Sequence, residues 1–188
     1  MISEIQEKIL KGTIQVFNKK GLKLTMDDVA EYMGISKKTI YKYFDSKEDI
    51  FDQIVDYIFD DIKRREKEIL EEEGLTLEER TRKLLSAFPE SYTEIDFTKL
   101  GDLKDKYPKI YKKLTKRLDS GWEPTMALLE QGKKEGLYRK DADFTIFKIM
   151  MDASVARFFE TDTLKKNKIS YVEALNQVVD ILLMGIKV

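Results

Sequence analysis

Neither cysteine nor histidine occurs anywhere in the 188-residue chain. The first absence excludes disulfides, thiolate metal sites and cysteine nucleophiles. The second removes the commonest general base and the commonest metal ligand. An enzyme would have to work with carboxylates or lysine alone. Adjacent acids such as Asp60 and Asp61 do not supply a pair, because successive residues on a helix do not converge. Neither a metal nor a cofactor is implied. Proline is scarce, at three residues, and nine glycines leave room for few turns. No apolar run approaches the roughly 18 residues of a membrane span. The first six residues read as the start of an amphipathic helix containing acids, not as a secretory leader. The expected location is the cytoplasm.

What is present is charge and helical periodicity. Hydrophobic residues make up 42% of the chain, a globular value, and 37% of residues are charged, which favours long solvated helices over a sheet. The net charge of −1 hides an uneven distribution. Residues 1–47 hold nine lysines and six acids, leaving 25 basic and 29 acidic residues for the remainder. A basic head on an acidic body fits a protein that touches nucleic acid at one end.

That head contains the most informative stretch, residues 25–47. Thr25 and Asp28 have the spacing of a capping box. Val29, Ala30 and Met33 then form one apolar face, and Gly34 is suited to the left-handed conformation that ends a helix. Ser36 is placed to cap a second helix, with Ile40 and Phe44 facing inward at i, i+4. The opposite face carries Lys37, Lys38 and Lys42, with Thr39 and Tyr41 on its flanks. Lysines in a first turn oppose the helix dipole by roughly 0.3–1 kcal/mol each, and no acid lies between Ser36 and Phe44 to offset them. The pattern makes sense if this helix end meets phosphates. Two short helices around a tight turn form a helix-turn-helix, whose second helix enters the major groove.

Residues 24–48 resemble the DNA-binding signature of the TetR/AcrR transcriptional regulators. The resemblance rests on Thr25, Ala30, Gly34, Ser36, Thr39, Tyr41, Phe44 and Lys47 and covers about the first quarter of the chain. It implies DNA contacts by Lys37, Lys38, Thr39, Tyr41 and Lys42, with phosphate anchoring by Thr25, Ser36 and Lys47. It further implies a sequence-specific regulator, in particular a repressor released from its operator by an effector. The alternative is an effector-independent architectural or partner-binding protein of the same fold, which a body packed without a cavity would favour.

The expected fold is all-α. A three-helix helix-turn-helix domain (1–46) precedes a helical effector-binding and dimerisation domain (47–188), about nine helices in total. Ser3 with Gln6 should cap a first helix ending near Gly21, and Ser46 should open a long helix running to about Glu73. Thr76 opens the next helix, which passes through Phe88 and is interrupted by Pro89; residues 91–97 continue at an angle. Pro108 starts a long helix that Pro124 should kink or break. Asp141 or Asp143 caps a strongly apolar helix, a polar loop spans 161–167, and Ser170 starts the last helix.

Two interactions follow. The last two helices have broader apolar surfaces than one chain of this size needs, so a symmetric four-helix dimer interface is expected. Two heads would then face half-sites of a near-palindromic double-stranded operator. The central helices also carry aromatics and methionines of the kind that line an adaptable pocket: Phe88, Tyr92, Tyr111, Trp122, Met126, Phe147, Met150, Met151 and Phe158. The expected effector is a small apolar or amphipathic organic molecule.

Overall fold

The computed structural model describes residues 2–88 and 102–188, and all regular elements among them are helices, joined by one isolated antiparallel bridge. Capping chemistry sets most of the boundaries. Helix α1 (Glu4–Lys20) starts at Ser3, whose hydroxyl accepts from the Gln6 amide while the Gln6 side chain accepts from the Ser3 amide. A 3-10 turn over Gly21–Lys23 leads to α2 (Met26–Met33), boxed by Thr25 and Asp28 and closed by Gly34 at φ 65°. Helix α3 (Lys37–Ile40) is capped by Ser36. Regular helix ends sooner here than the periodicity predicts. Lys42 and Tyr43 donate to the carbonyls of Thr39 and Ile40 in tighter i−3 turns, and only Phe44 returns to an i−4 bond with Ile40. Ile40 and Phe44 nevertheless both face inward, fully buried.

The long helix α4 (Lys47–Glu71) spans about 37 Å at 1.5 Å per residue. Helix α5 (Leu77–Leu85) opens on the Thr76–Glu79 capping box and ends three residues earlier than predicted. Pro89 and the segment 91–97 lie outside the described residues. The connection before Pro108 contains a single helical turn, α6 (Leu103–Lys106), and Pro108 occupies the first turn of α7 (Pro108–Asp119). Pro124 does not kink a continuous helix. The chain leaves α7 through Gly121 at φ 80° and restarts as α8 (Glu123–Lys134), where the missing proline N–H costs nothing. Asp143 is the cap of α9 (Phe144–Glu160), accepting from the amides of Thr145 and Ile146. The predicted polar loop holds one turn, α10 (Thr163–Lys166), before α11 (Tyr171–Ile186). The described residues thus form eleven α-helices, including the single turns α6 and α10 and the two helices either side of the complete break at residues 120–122.

Head and body share apolar packing. Ile9, Phe17, Leu22, Leu24, Val29, Ile40 and Phe44 of the head belong to one buried cluster with Phe51, Val55, Leu103, Ile110 and Leu114 of the body. A second cluster joins α8, α9 and α11. The C-terminus is tied down beside it: Arg139 donates to Ile186 and Val188 donates to Leu137, at 2.8 and 3.1 Å.

Candidate nucleic-acid interface

The head presents the expected face. Ser36, Lys37, Lys38, Tyr41 and Lys42 are exposed, and Thr39 is half-buried. Local bonding holds this face in shape. The Ser36 hydroxyl accepts from the Thr39 amide at 3.0 Å, and the two hydroxyls lie 2.8 Å apart. Thr25 caps α2 by accepting from Asp28, and Asp28 in turn takes the Lys20 ammonium at 2.6 Å. That ammonium, then the Thr25 backbone N–H, lowers the Asp28 carboxyl to about 2. Lys38 and Lys42 make no ion pair among the described residues. Tyr43, which periodicity alone did not single out, is also on the surface, 36% exposed.

Two named residues are engaged differently from a bare phosphate-seeking surface. Lys37 is paired with Asp27 of α2 at 2.8 Å, which pushes its pKa up. Lys47 turns inward and donates to the carbonyls of Leu22 and Leu24, the first at 2.8 Å. Burial pushes its pKa down, and the charge of Lys106, which reaches the same Leu22 carbonyl at 3.1 Å, adds to the effect. Lys47 therefore fastens the start of α4 to the turn between α1 and α2.

The body contains a cavity of about 350 Å³ between α1, α4, α5, α7, α8, α9 and α11. This lies within the size range of small-molecule sites. Of the residues predicted to line a pocket, Phe88, Trp122 and Met151 do so. Tyr111, Met126, Phe147, Met150 and Phe158 do not line this cavity, Met126 bordering a separate cleft beside Phe144, and Tyr92 lies outside the described residues. Each departure has a local cause. Tyr111 packs against the head-side cluster and donates to Glu160 at 3.2 Å. Met126 and Phe147 belong to the packing of the second cluster, and Phe158 sets its ring edge-on to Tyr171. Met150 points to the outside, 51% exposed. The wall that sequence reasoning missed comes from the head and from α4: Ile14, Phe17, Ile54, Val55, Ile58 and Ile62. Their spacing is that of any core stripe, so nothing in the sequence distinguished them.

Helix α9 divides its apolar residues between two sides. Phe144, Phe147, Met151 and Phe159 are buried, whereas Ile146, Ile149 and Met150 are each more than half exposed. On α11, Leu175, Val179, Leu182 and Leu183 are buried while Ile181 and Met184 are 66% and 64% exposed. Two contiguous helices therefore carry large apolar side chains outward. No described helix is long and apolar enough to cross a membrane.

A capped helix-turn-helix with a lysine and hydroxyl face, carried on an all-helical body, defines a DNA-binding regulator. Comparison with known proteins agrees. The model of bacterial regulatory proteins of the tetR family matches residues 9–54. The HTH-type transcriptional regulator YvaF of Bacillus subtilis (strain 168) is 26% identical over 182 residues, covering 97% of this chain and 95% of YvaF. The biofilm operon icaADBC negative transcriptional regulator IcaR of Staphylococcus aureus is 39% identical over 57 residues, 30% of this chain and 31% of IcaR. A TetR-family regulator from Cytophaga hutchinsonii has the same fold, with a TM-score of 0.71 and 20% identity over 100% of this chain and 98% of that one. The head, residues 9–54, is thus that of bacterial regulatory proteins of the tetR family, and the chain as a whole is similar to a transcriptional regulator over nearly its full length.

Proposed function

We propose that the protein is a cytoplasmic, non-enzymatic repressor. In this reading it binds a near-palindromic operator as a homodimer and leaves it when a small apolar or amphipathic effector enters the body. Lys37, Lys38, Thr39, Tyr41 and Lys42 face the major groove, and Thr25 and Ser36 anchor phosphates. Lys47 has two of its three N–H groups on carbonyls, so it acts mainly by positioning α4 and offers at most one donor to a phosphate. The exposed apolar residues of α9 and α11 form the dimer interface. The negative regulation named for IcaR supports the choice of repression.

One observation carries the effector role: Ile14 and Phe17 of the head helix α1 form part of the cavity wall. A molecule filling the cavity touches both the reading head and α4. It can therefore favour one head orientation over another by its own contact energy. The same cavity argues against the effector-independent reading, which calls for a closely packed body.

The test is a footprint of the purified protein on the DNA upstream of its own gene, titrated in salt. A protected palindrome supports the reading and gives the half-site spacing. Diffuse, steeply salt-dependent protection would favour a non-specific architectural protein.

A further inference from the structure

We infer that the effector is electrically neutral, with a largely hydrocarbon skeleton and a single hydrogen-bonding oxygen held by Thr125. This rests on the body cavity being the effector site and names the chemistry that site accepts.

The lining is chiefly aliphatic and aromatic, with its charged groups at the end where α4 meets the break between α7 and α8. Those lining charges are Lys63 and Arg117 against Glu66, Asp119 and Asp152, one more acid than base. Each is already partnered within the chain. Lys63 holds Glu66 at 2.6 Å and reaches the Gly121 carbonyl at 3.3 Å. Arg117 holds Asp56 and Asp60 at 2.9 and 3.2 Å. Lys148 joins Asp119 and Asp152 at 2.5 and 2.7 Å and stands 5.4 Å from the centre of the Trp122 ring. An entering carboxylate would find three acids and no free cation. An entering ammonium would have to take an acid from a lysine that then loses its partner. Either way a charge is desolvated without compensation, which is expensive in an apolar cavity.

Thr125 is the exception to this self-sufficiency. It lies in the first turn of α8, lines the cavity and is only 8% exposed. The other buried threonines, Thr13 and Thr81, donate back to the carbonyls of Ile9 and Leu77. Among the described residues the Thr125 hydroxyl has no hydrogen-bond partner. The lining hydroxyls of Thr115 and Ser120 are spent on the carbonyls of Lys112 and Arg117. A hydroxyl that opens into an apolar cavity from an otherwise buried residue, with no partner of its own, is where a ligand's carbonyl, ester or alcohol oxygen gains most.

Trp122 is the only tryptophan of the chain and lies on the same wall, so its fluorescence reports occupancy directly. The full-length protein is titrated with 1-decanol and cyclododecanone as neutral probes, and with decanoate and decylamine as charged counterparts. The neutral probes should change the Trp122 emission saturably, and the charged ones should bind at least roughly tenfold more weakly. Thr125→Val should weaken the neutral probes roughly tenfold, and Thr125→Ser, which keeps the hydroxyl, should restore most of it. Circular dichroism of each variant confirms that it folds. Decanoate or decylamine binding as tightly as 1-decanol would overturn the inference, as would unchanged neutral binding in Thr125→Val. Should a neutral probe bind through Thr125 yet leave the operator complex intact, the ligand chemistry stands and the effector role falls. Should no probe of any charge alter Trp122, both fall.

Discussion

Asp27 in the first turn of α2 holds the ammonium of Lys37 in the first turn of α3, across the turn of the helix-turn-helix, at 2.8 Å. Both side chains are largely in water, so the pair contributes little to stability. Its consequence is for the proposed operator binding: an acid beside α3 offsets one of the few cations there. Asp27→Asn should free Lys37, raise operator affinity severalfold and steepen the salt dependence by up to about one counterion. Fluorescence anisotropy at several salt concentrations reads both. Weaker binding by the variant would mean that Asp27 orients Lys37 productively.

Lys38 and Tyr41 carry no such restraint. Lys38→Glu should reduce affinity and lower the salt slope by about one or more, because a neutralised phosphate is lost and a repulsion gained. Tyr41 is 45% exposed, so Tyr41→Ala should weaken operator binding while the thermal midpoint stays nearly unchanged. If both variants bind like the parent, the DNA-facing surface is not where α3 places it.

How far the sequence reveals this molecule depends on the kind of interaction. Caps, breakers and helical period are local, so Ser3, Thr25 and Thr76 could be recognised as helix starts, the start of α9 could be narrowed to Asp141 or Asp143, and residues 24–48 identified the reading head. The inward turn of Lys47 was not legible, because its acceptors are carbonyls 23 and 25 residues away and carbonyls leave no mark in a sequence. Nor was the cavity. Whether Ile58 meets a neighbour or a void depends on how α4, α7 and α9 splay, and a stripe spaced for burial looks the same in both cases. Met150 shows a third limit: α9 is apolar on two sides, and only the packed structure says which side is the inner one.

Acid should loosen the head at α2. The Asp28 carboxyl titrates at about 2 in the folded chain, against an ordinary 3.8, because the Lys20 ammonium and the Thr25 amide favour its charged form. A depressed carboxyl pKa stabilises the fold above the ordinary value, and this stabilisation is lost as the pH falls through the folded one. The window is therefore from about pH 4 down to about pH 2. Asp28→Asn should be less stable than the parent at neutral pH, with the difference closing across that window. Denaturant unfolding at successive pH values measures it. A difference that stays constant down to about pH 2 would assign the stabilisation to something other than the carboxylate charge.

The dimer is best tested from outside the core. Deleting α11 is uninformative, because Leu175, Val179 and Leu183 are buried within the chain and their loss would unfold the body. Ile149 and Ile181 are 55% and 66% exposed, so a charge at either position disturbs little inside one protomer. In a symmetric interface each substitution appears twice, and an unpaired carboxylate on each side would have to be desolvated. Ile149→Glu and Ile181→Glu should each sediment as a monomer at concentrations where the parent is a dimer. Their helical content and Trp122 fluorescence should be unchanged. Operator affinity should drop by orders of magnitude, because two linked heads bind with the advantage of a high effective concentration and one head does not. Parent-like sedimentation of both variants would move the interface away from α9 and α11, and dimer loss accompanied by lost helicity would show that these side chains support the protomer itself.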